Sequence, residues 1–165
     1  MIDLRPLTEA DLPTVTEWMR APHVARWWHE DPDTVREQYL PSIEGSDPTV
    51  VLIAARDLEP VGLGQWYRWD DNPVDRDIYG IPAGTVGFDY LIGHPRHCDR
   101  GLGTALVAAL LEVIPQLPVW VTPEEVNEPS RRVLEKNGFE LMAVKQCQHP
   151  DEPWAGPTAL YRLQR

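Results

Sequence analysis

Two stretches of this chain hold residues whose types and spacing can do chemistry. The first is His97-Cys98-Asp99-Arg100-Gly101-Leu102-Gly103-Thr104, which joins a strand-like segment to a helix-like one. Glycine at 101 and 103 lets backbone approach a ligand closely. The N–H groups of a helix start carry about half a positive charge. A pyrophosphate fits such a cradle, with Arg100, and also Arg96, adding charge pairing. A Walker loop needs a Lys after its second glycine, where Thr104 stands, and the dinucleotide fingerprint needs three glycines near the first strand. The alternative is a plain strand-to-helix turn whose glycines serve packing. The second stretch is Thr85 to Ile92, an apolar strand interrupted by Asp89. A strand interior favours apolar or β-branched residues there, so Asp89 faces either solvent or a ligand.

Other candidates are weaker. Trp27 and Trp28 are adjacent and cannot both face one core on a regular element, so at least one lines a surface or pocket. Trp18 and Trp120 sit at periodic core positions. His23 and His29, like His94 and His97, have no carboxylate at ligand spacing, so no metal site is expected, and His23 is better suited to fixing a loop. Cys98 lies near the helix start, where a thiolate would be stabilised.

The elements that must hold these residues can be read from punctuation and periodicity. Ile2 and Leu4 alternate with polar residues in a short opening strand. Thr8, three residues before Asp11, opens a helix whose Leu12, Val15, Trp18 and Met19 share one face and which Pro22 ends. Asp31 and Pro32 open a second helix that closes before Pro41. Residues 49–55 and 61–69 read as an antiparallel hairpin turned at Asp57–Pro60. Asp70 to Gly84, with Asp70, Asp71, Asp75 and Asp77, reads as a loop. The Gly101–Ile114 segment is a strongly apolar helix. Residues 119–122 form a short strand, Pro129–Asn137 a helix ended by Gly138, and 139–146 and 158–163 complete a sheet. Everything from 1 to 165 reads as a single α+β domain.

Composition bounds the rest. A chain of 165 residues is one domain of ordinary size, with 42% hydrophobic and 25% charged residues, as in globular proteins. Its 17 prolines are about twice normal usage and predict many sharp connections. Two cysteines, Cys98 and Cys147, are too few for a disulfide scaffold and suit a reducing compartment. The formal net charge of −11 disfavours nucleic acid and anionic membranes and favours cationic partners. No signal peptide and no run of about 20 apolar residues is present, so a cytoplasmic location is expected.

Further along lies Asn127-Glu128-Pro129-Ser130-Arg131-Arg132-Val133-Leu134-Glu135-Lys136-Asn137-Gly138-Phe139. This segment, with RGLGTALV at 100–107, resembles the GNAT superfamily of acyl-CoA N-acyltransferases. Within it, residues 4–143 are similar to the aminoglycoside 6′-N-acetyltransferases. The likeness is carried by TEADL…EWM…HVARWW (8–28), EQYLPSI (37–43), VGLGQWY (61–67), GFDYLIG (87–93), RGLGTALV and LEKNGF (134–139). The resemblance implies a mixed, strongly twisted sheet with splayed central parallel strands, ending near Ile92 and Val121, and about four flanking helices. It implies acetyl-CoA as co-substrate and no metal. Strand backbone around Leu91 and Ile92 would pair with pantetheine, Arg100, Gly101, Leu102, Gly103 and Thr104 would take the pyrophosphate, and Asn127 the pantetheine arm.

By the same resemblance Asp89 is the catalytic base. The ring planes of Trp27, Trp28 and Trp66 and the carboxylates of Asp70 and Asp71 match an acceptor with several amines, the alternative for the acidic loop being a solvated turn. Three departures stand out. Cys98 replaces the family's usual Gln or Arg, Leu134 replaces the Tyr that protonates the leaving thiolate, and Thr122-Pro123 replaces an Asp-Pro. Tyr90 and Tyr161 are alternative acids, or the thiolate leaves unassisted. The expected function is resistance-type acetylation of an aminoglycoside 6′-amine by a monomer or homodimer. Siderophore-type lysine acylation, or a non-catalytic drug-binding protein of the same fold, are the rival expectations.

Overall fold

A computed structural model describes residues 1–98, 100–146 and 156–165; Cys147, and Asp99 of the glycine loop, lie outside them. The strands are β1 (Asp3–Pro6), β2 (Val50–Arg56), β3 (Glu59–Arg68), β4 (Val86–Ile92), β5 (Val119–Val121), β6 (Glu140–Lys145) and β7 (Thr158–Leu163). The helices are α1 (Leu12–Arg20), α2 (Pro22–Ala25), α3 (Val35–Glu44), α4 (Pro73–Tyr79), α5 (Leu102–Val113) and α6 (Glu128–Lys136). Hydrogen bonding orders the strands β1-β2-β3-β4-β5-β7-β6 in one mixed sheet. Strands β4 and β5 pair in parallel, in register at Val86↔Val119. The chain packs as two compact units, Met1–Gln65 with Asp89–Glu112, and Trp66–Phe88 with Val113–Arg165.

In the first unit, β1 pairs antiparallel with β2 from Asp3↔Ala55 to Pro6↔Leu52. The N–H and hydroxyl of Thr8 both donate to Oδ2 of Asp11, and Arg5 holds the same carboxylate with two further bonds. This fixes the single 3₁₀ turn that feeds α1. Leu12, Val15, Trp18 and Met19 are buried as the helical spacing predicts. Their cluster takes in Tyr39, Ile53, Leu63 and Leu91, with Trp28 packed against it. Asp57 and Leu58 both have positive φ in the tight turn that joins β2 to β3. A Cβ at Gly64 would lie 2.8 Å from Leu110, so the glycine is what lets α5 settle onto β3.

In the second unit, β7 pairs antiparallel with β5 and with β6. Phe88 meets Phe139 edge to face with ring centroids 5.8 Å apart. Trp69, Tyr79, Ile81 and Leu160 form a second buried cluster, against which Trp120 packs.

Three boundaries differ from expectation. The helix expected to close before Pro41 continues through it to Glu44. The bond lost at the proline is offset at the end, where the Pro41 carbonyl accepts the N–H of Gly45, Ser46 and Asp47. Residues 70–84 are not a plain loop but contain α4. Pro73 starts that helix, Gly80 in the left-handed region ends it, and Tyr79 buries against Trp69. Pro22 does not merely stop α1; it opens α2. These short pieces raise the helix count among the described residues from the expected four to six.

Candidate active site

Asp89 sits at the centre of β4, half-buried. Gln65, on the neighbouring β3, donates from Nε2 to Asp89 Oδ2 at 3.0 Å. A neutral amide donor orients the carboxylate and leaves its charge in place, which an arginine there would not. Gln65 and Asp89 both belong to the first unit, on strands that are neighbours in the sheet.

Tyr39 extends this cluster. It projects from α3 into the first core, 3% exposed. Its hydroxyl donates to Glu30 Oε2 at 3.4 Å, and the Trp28 indole Nε1–H donates to that same oxygen at 2.9 Å. Burial drives the Tyr39 pKa well above the ordinary phenol range, and the charges of Glu30 and Asp89 push it further the same way. One neutral phenol therefore feels two carboxylates. The His23 Nε2–H donates to the Ile92 carbonyl at 2.8 Å, pinning α2 to the end of β4 as its fixing role predicts.

Beyond β4 the chain reaches the glycine loop. Gly101 has φ +75°, in the left-handed region that favours glycine. The first intrahelical bond of α5 runs from Ala105 N–H to Gly101 O, 3.0 Å, so the Leu102 and Gly103 N–H groups precede it. Arg100 is exposed beside them. Arg56, Asp57, Glu59, His97, Arg100 and Leu102 line a cleft of about 240 Å³ at this mouth. Backbone donors, a helix dipole and a guanidinium make a set that fits a diphosphate. Arg96 instead pairs with Glu59.

The other expected residues are placed as follows. Leu91 is buried and Ile92 half-buried on β4. Trp28 packs on the first core, while the Trp27 ring carries the Arg26 guanidinium 4.6 Å above its centroid. In the second unit, Trp66 is half-buried on β3 and Asp71 is exposed. Asp70 accepts from Arg76 at 2.6 Å and from the Gly84 N–H at 2.9 Å, and these bonds, Gly84 first, hold its pKa below the ordinary value. Asn127 caps α6, its side-chain oxygen accepting from Ser130 N–H at 3.2 Å. Leu134 is fully buried. Tyr161, also fully buried, donates to Glu135 at 2.7 Å and accepts from Arg131 at 3.0 Å, so its proton is already engaged.

The grouping thus brings Asp89, Leu91, Ile92, the glycine loop, Trp27 and Trp28 into the first unit, and Trp66, Asp70, Asp71 and Asn127 into the second. Gln65, Tyr39 and Glu30 carry no assigned role in the sequence reading above. Gln65 and Tyr39 stand inside quoted motifs, and an inward glutamine alternating with Val61 and Leu63 was the available signal; for Glu30 there was none.

A family model described as an acetyltransferase (GNAT) domain matches residues 8–146. The aminoglycoside N(6′)-acetyltransferase type 1 of Klebsiella pneumoniae is 33% identical over 179 residues, which span 99% of this chain and 82% of that protein. A Serratia marcescens protein of the same name matches equally. Among solved structures, aminoglycoside acetyltransferase AAC(6′)-Ib with coenzyme A has a TM-score of 0.81 at 28% identity, covering 100% of this chain and 95% of that one. Its complex with coenzyme A and kanamycin has a TM-score of 0.80 at 29% identity, with the same coverage. A glycine loop opening α5, a carboxylate on the strand before it and this near-complete match together mean that the chain belongs to the GNAT family of acetyltransferases.

Proposed function

We propose that this protein is a cytoplasmic acetyl-CoA-dependent N-acetyltransferase, a single domain over 1–165, acting on the 6′-amine of an aminoglycoside. The observation that carries the reading is the Asp89 carboxylate, oriented by Gln65 and lying one strand end before the glycine loop. The near-full-length relatives named for aminoglycoside 6′-acetylation support the acceptor.

Bound acetyl-CoA supplies an acyl carbon activated as a thioester. Leu102 and Gly103 N–H groups and Arg100 hold its diphosphate, and Leu91 and Ile92 offer strand backbone to the pantetheine arm. Asn127, whose oxygen is committed to its cap, keeps its amide N–H groups for the same arm. An alkylammonium, whose pKa lies above 7, must lose a proton before attack, which costs about 1.4 kcal/mol for each unit by which that pKa exceeds the pH. Asp89 first pairs with that ammonium and then accepts the proton, directly or through water. Tyr39 stays neutral throughout. With Leu134 in place of a tyrosine and the Tyr161 proton engaged, the thiolate, whose acid has a pKa near 8.5, leaves without an acid from α6 or β7. Trp27, Trp28 and Trp66 offer ring faces to sugars and cations, and Asp71 offers charge beside the turn that Asp70 shapes.

The test is CoA thiol release with aminoglycosides that carry a 6′-amine against otherwise matched ones with a 6′-hydroxyl. Release with the amines alone is the expected result. Equal release with both, or none with either, would remove the proposed acceptor.

A further inference from the structure

Glu30 is the one carboxylate of the first unit bound to an indole and a phenol and to no cation among the described residues. Two neutral donors converge on its Oε2, which fixes the carboxylate in orientation without neutralising it. The residue as a whole is exposed to solvent, with its carboxylate held against the two donors. Its partner Tyr39 also feels the charge of Asp89, which acts on the phenol in the same direction as Glu30. A carboxylate held this way lacks only a positive charge.

We infer that Glu30 is a specificity-determining residue, which binds a second ammonium group of the acceptor while the reacting amine sits at Asp89. This deepens the proposed function and rests on Asp89 as the reacting centre. The physical case is twofold. The Trp28 and Tyr39 donors occupy one oxygen and leave Oε1 for an incoming cation. Burial of the carboxylate head also raises its pKa, a penalty on the charged form that a bound ammonium would relieve. A monoamine gains nothing from this arrangement, whereas an acceptor with two or more ammonium groups does.

The test is calorimetric titration of kanamycin, and separately of spermidine, into wild type and Glu30→Gln. Glutamine keeps an acceptor oxygen for Trp28 and Tyr39 and removes the charge together with the second acceptor oxygen. The expected result is a tenfold or greater loss of affinity for at least one of the two polycations, a flatter salt dependence of what binding remains, and an unchanged acetyl-CoA Kd. Unchanged affinity for both polycations overturns the inference. Equal weakening of polycation and acetyl-CoA also overturns it, by assigning Glu30 a merely structural role. Because titration needs no turnover, the result is separable from the thiol-release assay. An enzyme that acetylates no aminoglycoside yet loses spermidine in Glu30→Gln would sink the acceptor and keep Glu30.

Discussion

Gln65 Nε2 donates to Asp89 Oδ2 at 3.0 Å across adjacent strands, so the reacting carboxylate is aimed by a side chain two residues inside the other strand's alternation. Gln65 touches no reacting atom in this account and acts through Asp89. Gln65→Leu is predicted to lower kcat about tenfold, the scale of one hydrogen bond to a charged group. The acetyl-CoA Kd should not change, and the kcat pH profile should move because the carboxylate loses a donor to its charged form. A variant with wild-type kcat and profile would show that Asp89 needs no such support.

Arg100 stands beside the first N–H groups of α5. Arg100→Ala is predicted to weaken acetyl-CoA binding about tenfold at low ionic strength, with the difference shrinking at high salt as the pair is screened. Titration calorimetry at two salt concentrations reads this directly. Lack of any salt dependence would mean that the guanidinium does not meet the diphosphate.

Acid stability should depend on Asp11. Its two bonds from Arg5, the leading cause, together with Thr8, hold its pKa down to about 2. The ordinary value near 3.9 applies to the unfolded chain. The folded pKa is depressed, so the stabilisation is fully present above about pH 4 and is lost as pH falls through about 2. Asp11→Asn should cost about 2 kcal/mol at neutral pH, with the two proteins converging in strong acid. Urea unfolding at pH 7 and near pH 2 measures both ends.

Gly93 follows β4 directly against the Trp18 indole, and a Cβ there would overlap the ring. Gly93→Ala is predicted to destabilise by about 2 kcal/mol and to lower Tm by several degrees. A thermal melt within a degree of wild type would mean that the indole can shift without cost.

Much of this was legible locally. Thr8 with Asp11, the apolar face of α1, and the glycines at 101 and 138 each act within a few residues, where spacing reports geometry directly. What escaped depends on distance. Pro41 stays inside α3 two positions after the buried Tyr39, and its carbonyl gathers three N–H groups at the C-terminus. Helix α4 forms because Tyr79 packs on Trp69, ten residues back. The Trp28–Glu30–Tyr39 hydrogen bonds join α3 to the segment before it, and no local pattern encodes that meeting. Asp89 itself was legible as an anomaly in an apolar strand; its orienting partner was not.

The most direct measurement is thiol release by Asp89→Asn with kanamycin, alongside its acetyl-CoA Kd. Removing a general base should reduce kcat by about a hundredfold or more. The acetyl-CoA Kd should stay at the wild-type value. Near-normal kcat in Asp89→Asn, with the variant folded and binding acetyl-CoA, would contradict the assignment of proton removal to this carboxylate.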